Sequence, residues 1–210
     1  MNTPEKIQEL ITKATVDDAN AQNSLGCAYY NGDGVQQDYA TARLWYEKSA
    51  EKNNSYALAN LAILYEYGLG VPKNEAKMYD YRLKAAELGD RGSMKKVADI
   101  YRYGNTAVNK DLAEAFKWYK KAADKGDENA AESLAIFYDY GWGCQQDYSL
   151  AAKWYLVAAE KGLRVAQNNL GALYANGQGV SKDYEEAFYW YLKATLSAKA
   201  VKAFPMQASK

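Results

Sequence analysis

Apolar and small residues return along this chain at helical intervals, in a short run and then a longer one, and the pair of runs recurs. Ala21, Leu25 and Tyr29 stand four residues apart, while Ala42, Trp45, Tyr46, Ser49 and Ala50 follow the i, i+3, i+4, i+7, i+8 stripe of a helix with one buried face. The spacing predicts two amphipathic helices. Between them lies Gly32-Asp33-Gly34-Val35, and later copies of the slot read Gly68-Leu69-Gly70, Gly141-Trp142-Gly143 and Gly177-Gln178-Gly179. A glycine just past a helix end adopts the left-handed conformation that stops the helix, where a Cβ would cost about 1 kcal/mol. The second helix therefore turns back on the first.

The unit begins at Ala21, Ala57, Ser93, Ala130 and Ala166, a period of 36 residues that stretches to 37 in the third copy. Repetition at this length means stacked supersecondary units, none of which buries its apolar face alone. The second helix has its own start signal in Asp38, Asp111, Asp147 and Asp183, with Glu114 and Glu186 placed three residues later as in a capping box. The pair Trp-Tyr recurs at 45-46, 118-119, 154-155 and 190-191, flanked by alanines. On the inner stripe of a helix such a pair is core, and the small neighbours let the next helix approach.

The pattern A-x-x-x-L-G-x-x-Y-x-x-G-x-G-V, then D, then A-x-x-W-Y-x-x-A-A and G, resembles the Sel-one-like repeat, a relative of the tetratricopeptide repeat, over residues 21 to about 195. The resemblance implies an all-α fold: a right-handed α/α superhelix, or solenoid, of five helix-turn-helix repeats over residues 21–200, with an N-terminal capping helix in residues 1–20 and a tail at 201–210. Thr3 and Pro4 open that capping helix, as N-cap and first helical residue, and Ile7, Leu10, Ile11 and Ala14 form its apolar stripe. Similar solenoids scaffold protein complexes, and bacterial members are implied in signalling, secretion and host contact.

In tetratricopeptide-like stacks the first helix of each pair lines a concave groove. Carried over by resemblance, that geometry implies partner-binding positions at Asn23, Tyr30, Glu66, Tyr67, Lys95, Asp99, Arg102, Tyr103, Glu132, Asp139, Tyr140 and Asn168. Tyr30, Tyr67, Tyr103 and Tyr140 then form a row suited to a protein ligand, since tyrosine gives large contact area at low entropy cost. Trp142 stands apart, in a slot that holds Asp33, Leu69 or Gln178 elsewhere, and is a candidate anchor at a loop tip. Arg82, Arg91, Lys95, Lys96 and Arg102 make the densest basic stretch, a candidate contact for an acidic or carboxylate-bearing segment.

Composition narrows the chemistry. Lys plus Arg and Asp plus Glu balance at 26 each, so no global field draws in nucleic acid. The chain has no histidine, which removes the usual general base and the commonest metal ligand. The Gly-x-Gly slots end helices rather than open them and lack the spacing of phosphate loops. We expect a noncatalytic adaptor with no cofactor and no metal, binding a protein or peptide in its groove. Two other roles stay open: an immunity or antitoxin protein blocking a cognate effector, and a β-lactam-binding hydrolase. The latter is associated with a branch of the family rich in cysteine pairs, whereas this chain holds Cys27 and Cys144 three repeats apart. No unbroken apolar segment marks a signal or a membrane span, so a cytoplasmic location is expected. Pro205 interrupts a sixth unit, and the end of the fifth repeat is a candidate surface for weak self-association, unless Leu196 to Phe204 folds back over it.

Overall fold

The computed structural model of the chain describes residues 4–196. Among the described residues there are eleven helices and no strand: α1 (Pro4–Thr15), α2 (Ala19–Asn31), α3 (Tyr39–Ala50), α4 (Ser55–Tyr67), α5 (Glu75–Glu87), α6 (Arg91–Tyr103), α7 (Leu112–Asp124), α8 (Glu128–Tyr140), α9 (Tyr148–Glu160), α10 (Arg164–Asn176) and α11 (Tyr184–Thr195). The expected N-cap Thr3, the segment from residue 197 whose folding back would cover the fifth repeat, and the tail at 201–210 lie outside the described residues. The chain divides into two compact units, Met1–Lys110 and Asp111–Lys210, so α1 to α6 belong to the first and α7 to α11 to the second.

In the first unit each helix packs on the next in order. The helix α1 caps the stack, setting Ala14, Leu10 and Ile11 against Ala21, Leu25 and Trp45. The next layer joins Ala42 and Tyr46 of α3 to Ala57, Leu61 and Leu64 of α4, and a third joins Ala62, Tyr65 and Met78. Leu61 is fully buried, as is Leu25; each such side chain stabilises the stack by about 1.5–3 kcal/mol. Gly26 is in α2 because a Cβ there would run into the ring of Tyr46.

The second unit repeats this order from α7 to α11. Tyr119 and Tyr155 are fully buried, with Phe137 edge-on to Tyr119 at 5.1 Å between ring centroids. In the last repeat Tyr191, the counterpart of Tyr155, is 38% exposed. Among the described residues, no helix is long and apolar enough to cross a membrane.

Nearly every helix start is capped. The side chains of Asp18, Asp38, Asn54, Asn74, Asp90, Asp111, Asp127, Asp147 and Asp183 accept N–H groups of the first turn that would otherwise have no partner, worth roughly 1 kcal/mol each. Glu114 donates its backbone N–H to Asp111 but turns its carboxylate to Lys117 at 2.6 Å. The stops are equally regular, with Gly32, Gly68, Gly141 and Gly177 left-handed after the first helices.

The second glycine of the slot locks one repeat onto the one before it. A Cβ on Gly143 would run into the Leu112 carbonyl, and one on Gly179 into that of Tyr148, so each turn lies directly on the opening residues of the preceding second helix. In the third repeat, where Asn105-Thr106-Ala107 replaces the glycine, the same contact is made by side chains. Thr106 donates its N–H and its Oγ1 hydroxyl to the Glu75 carboxylate, at 3.0 and 2.6 Å. Those bonds hold the Glu75 carboxyl below its usual range. Asn105 shapes the extra residue by accepting the N–H groups of Ala107 and Val108.

Candidate functional site

The first helices carry a polar cluster at one recurring place. In the second and fourth repeats the side chain nine residues into the repeat, Glu66 or Asp139, bonds to the second helix of its own hairpin, beside a side chain three residues into the next repeat. In the second unit these are Asp139, Tyr155 and Asn169: the Tyr155 hydroxyl donates to Asp139 Oδ2 at 3.0 Å and accepts from Asn169 Nδ2 at 3.1 Å. Burial pushes the Asp139 carboxyl up, against the lowering effect of the Tyr155 bond. Burial and the neighbouring Asp139 push the Tyr155 hydroxyl far above its ordinary value, so it stays a neutral donor.

In the first unit the same three places hold Glu66, Arg82 and Lys96. Arg82 is 7% exposed and occupies the slot of the buried tyrosines. Its Nη2 donates to Glu66 Oε2 at 3.3 Å, while Lys96 Nζ lies 3.7 Å from Glu66 Oε1. One repeat earlier that place is Tyr30, and the polar contacts of the junction are made from other positions of α2: Tyr46 donates to Cys27 Sγ at 3.5 Å, and Asn60 donates to Asn23 Oδ1 at 3.0 Å. Two cations facing one carboxylate thus mark a change of character at the α4–α6 junction.

Around that junction α4 and α6 border a cavity of about 310 Å³ lined by Glu66, Lys96, Asp99, Ile100 and Tyr103, with Glu75 and Met78 contributed by α5 and Lys73 by the turn before it. Three of the expected partner-binding residues, Glu66, Asp99 and Tyr103, meet here. Lys95 pairs with Asp99 at 2.8 Å, and the Arg102 guanidinium lies 5.0 Å from the centre of the Tyr103 ring. The charged side chains that line the cavity are two lysines, Lys73 and Lys96, and three carboxylates, Glu66, Glu75 and Asp99.

The expected tyrosine row has a different membership. Tyr67, Tyr103 and Tyr140 end their helices at one equivalent place and are 66%, 69% and 63% exposed. Tyr30 sits one position earlier and turns edge-on to Tyr39, with centroids 5.3 Å apart, half-buried. Burial raises its hydroxyl pKa. Trp142 is not a free tip: its ring stacks on Tyr140 at 5.2 Å and meets Phe137 edge-on at 5.7 Å. The two rings form one aromatic surface, half-buried at Trp142 and open at Tyr140. Glu132 accepts the Ala166 N–H at 3.1 Å, tying α8 to α10, and Asn168 is exposed on α10.

Sequence reasoning did not single out Arg82 as a core residue or Lys96 as a partner of Glu66. The signal was in the register: Asn60, Lys96 and Asn169 share a place, as do Tyr46, Arg82 and Tyr155. Cys27 and Cys144 are free thiols, and burial raises the pKa of Cys144. No group of three or more His, Cys, Asp or Glu side chains among the described residues is placed to hold a metal ion.

The Sel1 repeat model matches residues 19–54, 55–90, 92–127, 129–163 and 164–197. The crystal structure of a Sel1 repeat protein from Oxalobacter formigenes superposes with a TM-score of 0.80 at 34% identity, covering 91% of this chain and 76% of that one. A protective antigen present in uropathogenic Escherichia coli strains, displaying an SLR fold, gives a TM-score of 0.74 at 28% identity, over 90% of this chain and 48% of its own. Protein sel-1 homolog 2 of mouse and of human is 39% identical over 66 residues, 30% of this chain; the matched stretch spans 10% of those proteins.

Proposed function

The chain belongs to the Sel1 repeat family, whose repeats generally mediate contacts between proteins, and we propose that it is a noncatalytic adaptor that holds a segment of a partner protein against its first helices. The observation that carries this reading is the cavity bordered by Glu66, Lys96, Asp99 and Tyr103, where an apolar floor at Ile100 and Met78 and an exposed aromatic ring converge with charged side chains of both signs. Such a surface favours a segment that carries an apolar or aromatic residue flanked by side chains of both charges. The charges set specificity and encounter rate, while the ring and floor supply the contact area.

The second unit by itself offers the Tyr140–Trp142 surface as a further contact for a protein partner. Asp139 is held by Tyr155, and its role is to fix the shape of the α8 edge rather than to meet the ligand. Asn23 does the same at the first junction through Asn60.

Affinity capture of partners from native lysate, followed by titration of the captured protein, tests the proposal. Charge reversal by Lys96→Glu with Arg102→Glu, and separately Tyr103→Ala, is expected to weaken binding at least tenfold. Unchanged affinity in both variants would remove the groove from the account.

A further inference from the structure

A second cavity, of about 620 Å³, opens in the first unit between the second helices α3 and α5. Its floor is Leu58 and Leu61 of α4, buried to 5% and 0% exposure, and Ala50 and Tyr81 form its walls. Tyr81 occupies the slot that holds tryptophan in the other four repeats. Its ring is drawn flat against Tyr65, 5.7 Å away with planes inclined by 17°, and the space between α3 and α5 is left open.

The mouth of this cavity departs from the repeat in a second way. Leu88, 46% exposed at the end of α5, stands where the equivalent turns carry Lys52, Lys125 and Lys161. An apolar residue has replaced a cation at the rim of an apolar hole. Around it stand Glu47, Glu51 and Glu87, with Lys84 facing them. Arg43 pairs with Glu47 at 3.2 Å, whereas Glu51 and Glu87 make no ion pair among the described residues. Helices α3 and α5 both end here, and their C-terminal carbonyl ends add negative potential. The opposing N-terminal end of α4 already spends its first N–H groups on Asn54, which accepts from Tyr56 and Ala57.

From this pairing of an apolar hole with a negative rim, we propose that the α3–α5 cavity is a second docking site, one that takes a peptide segment carrying a leucine-sized apolar side chain flanked by lysine or arginine. The apolar side chain fills the space over Leu58 and Leu61, and its basic neighbours meet Glu51 and Glu87. This rim selects for basic flanks, whereas the α4–α6 cavity presents charges of both signs, so the two sites select different segments.

The test uses the full chain and a fluorescein-labelled twelve-residue peptide of alternating lysine and leucine, with Lys/Ser and Glu/Leu peptides of equal length as controls. Saturable binding of the Lys/Leu peptide is expected, with at least tenfold weaker binding of both controls. Leu88→Lys, which restores the residue of the other repeats, and Glu51→Lys with Glu87→Lys should each weaken it at least tenfold; both changes are on the surface, and an unchanged circular dichroism melt checks the fold. Tyr103→Ala should leave it unaltered, which separates this site from the proposed groove. Equal affinity for the Glu/Leu peptide, indifference to Leu88→Lys, or loss on Tyr103→Ala would overturn the proposal.

Discussion

Two glycines of the second unit show how closely neighbouring atoms decide a residue's tolerance. Gly143 and Gly162 are both left-handed, at φ 65° and 90°, yet a Cβ on Gly162 meets nothing within 4 Å, whereas one on Gly143 meets the Leu112 backbone. Gly162→Ala is expected to cost about 1 kcal/mol, the strain of the left-handed conformation alone. Gly143→Ala should cost at least about 2 kcal/mol more, because backbone must move; equal melting temperatures for the two variants would contradict the packing of turn on helix. Asp139 gives a pH-dependent contrast. Its folded-state pKa lies above the unfolded value, so the ionised carboxylate costs stability at neutral pH, and the cost is lost as pH falls through the folded value to the unfolded one. Asp139→Asn keeps an acceptor for Tyr155 and should gain up to about 1 kcal/mol at pH 7, with the gain vanishing below about pH 4. A gain that grew in acid would reverse the assignment. At this scale the sequence was a partial guide. The glycines that stop the first helices were legible from position alone. That Tyr30 turns to Tyr39, and that Trp142 lies on Tyr140, depends on which neighbour a ring meets across a turn, and no spacing carries that.

Between elements, one contact is made by two chemistries. A glycine turn lying on the preceding second helix becomes, at Thr106, a pair of hydrogen bonds to Glu75. Glu75→Ala is expected to speed amide hydrogen exchange at Thr106 at least tenfold without changing exchange in α8; no change at Thr106 would show that the turn is held elsewhere. The irregularity of the third repeat was visible in the sequence as an extra residue and a missing glycine. Its repair was not, because the compensating carboxylate lies 31 residues earlier. The Arg82 substitution behaves likewise, since a cation in a tyrosine slot is tolerable only where Glu66 stands beside it. Arg82→Ala leaves that carboxylate with Lys96 alone and should cost about 2–3 kcal/mol in chemical denaturation. Arg82→Tyr, which restores the repeat, should cost less.

Across the whole molecule, five copies of one helical hairpin pattern made the fold class and the family readable, because the same apolar stripe, caps and stops recur in register. Binding chemistry was less readable, since it resides in the departures from that register: Arg82 and Lys96 at one cavity, Tyr81 and Leu88 at the other. A partner held at the α4–α6 cavity through charge pairs should bind more weakly as salt rises from 50 to 500 mM, as screening shortens the reach of those charges to a few ångströms. The most direct measurement is photo-crosslinking in native lysate, with a benzoylphenylalanine placed at Tyr103 on a first helix or at Leu156 on a second helix. An adaptor that grips its partner along the first helices yields a discrete crosslinked species from position 103 and none from position 156. Crosslinks from 156 alone, or equally from both, would contradict it.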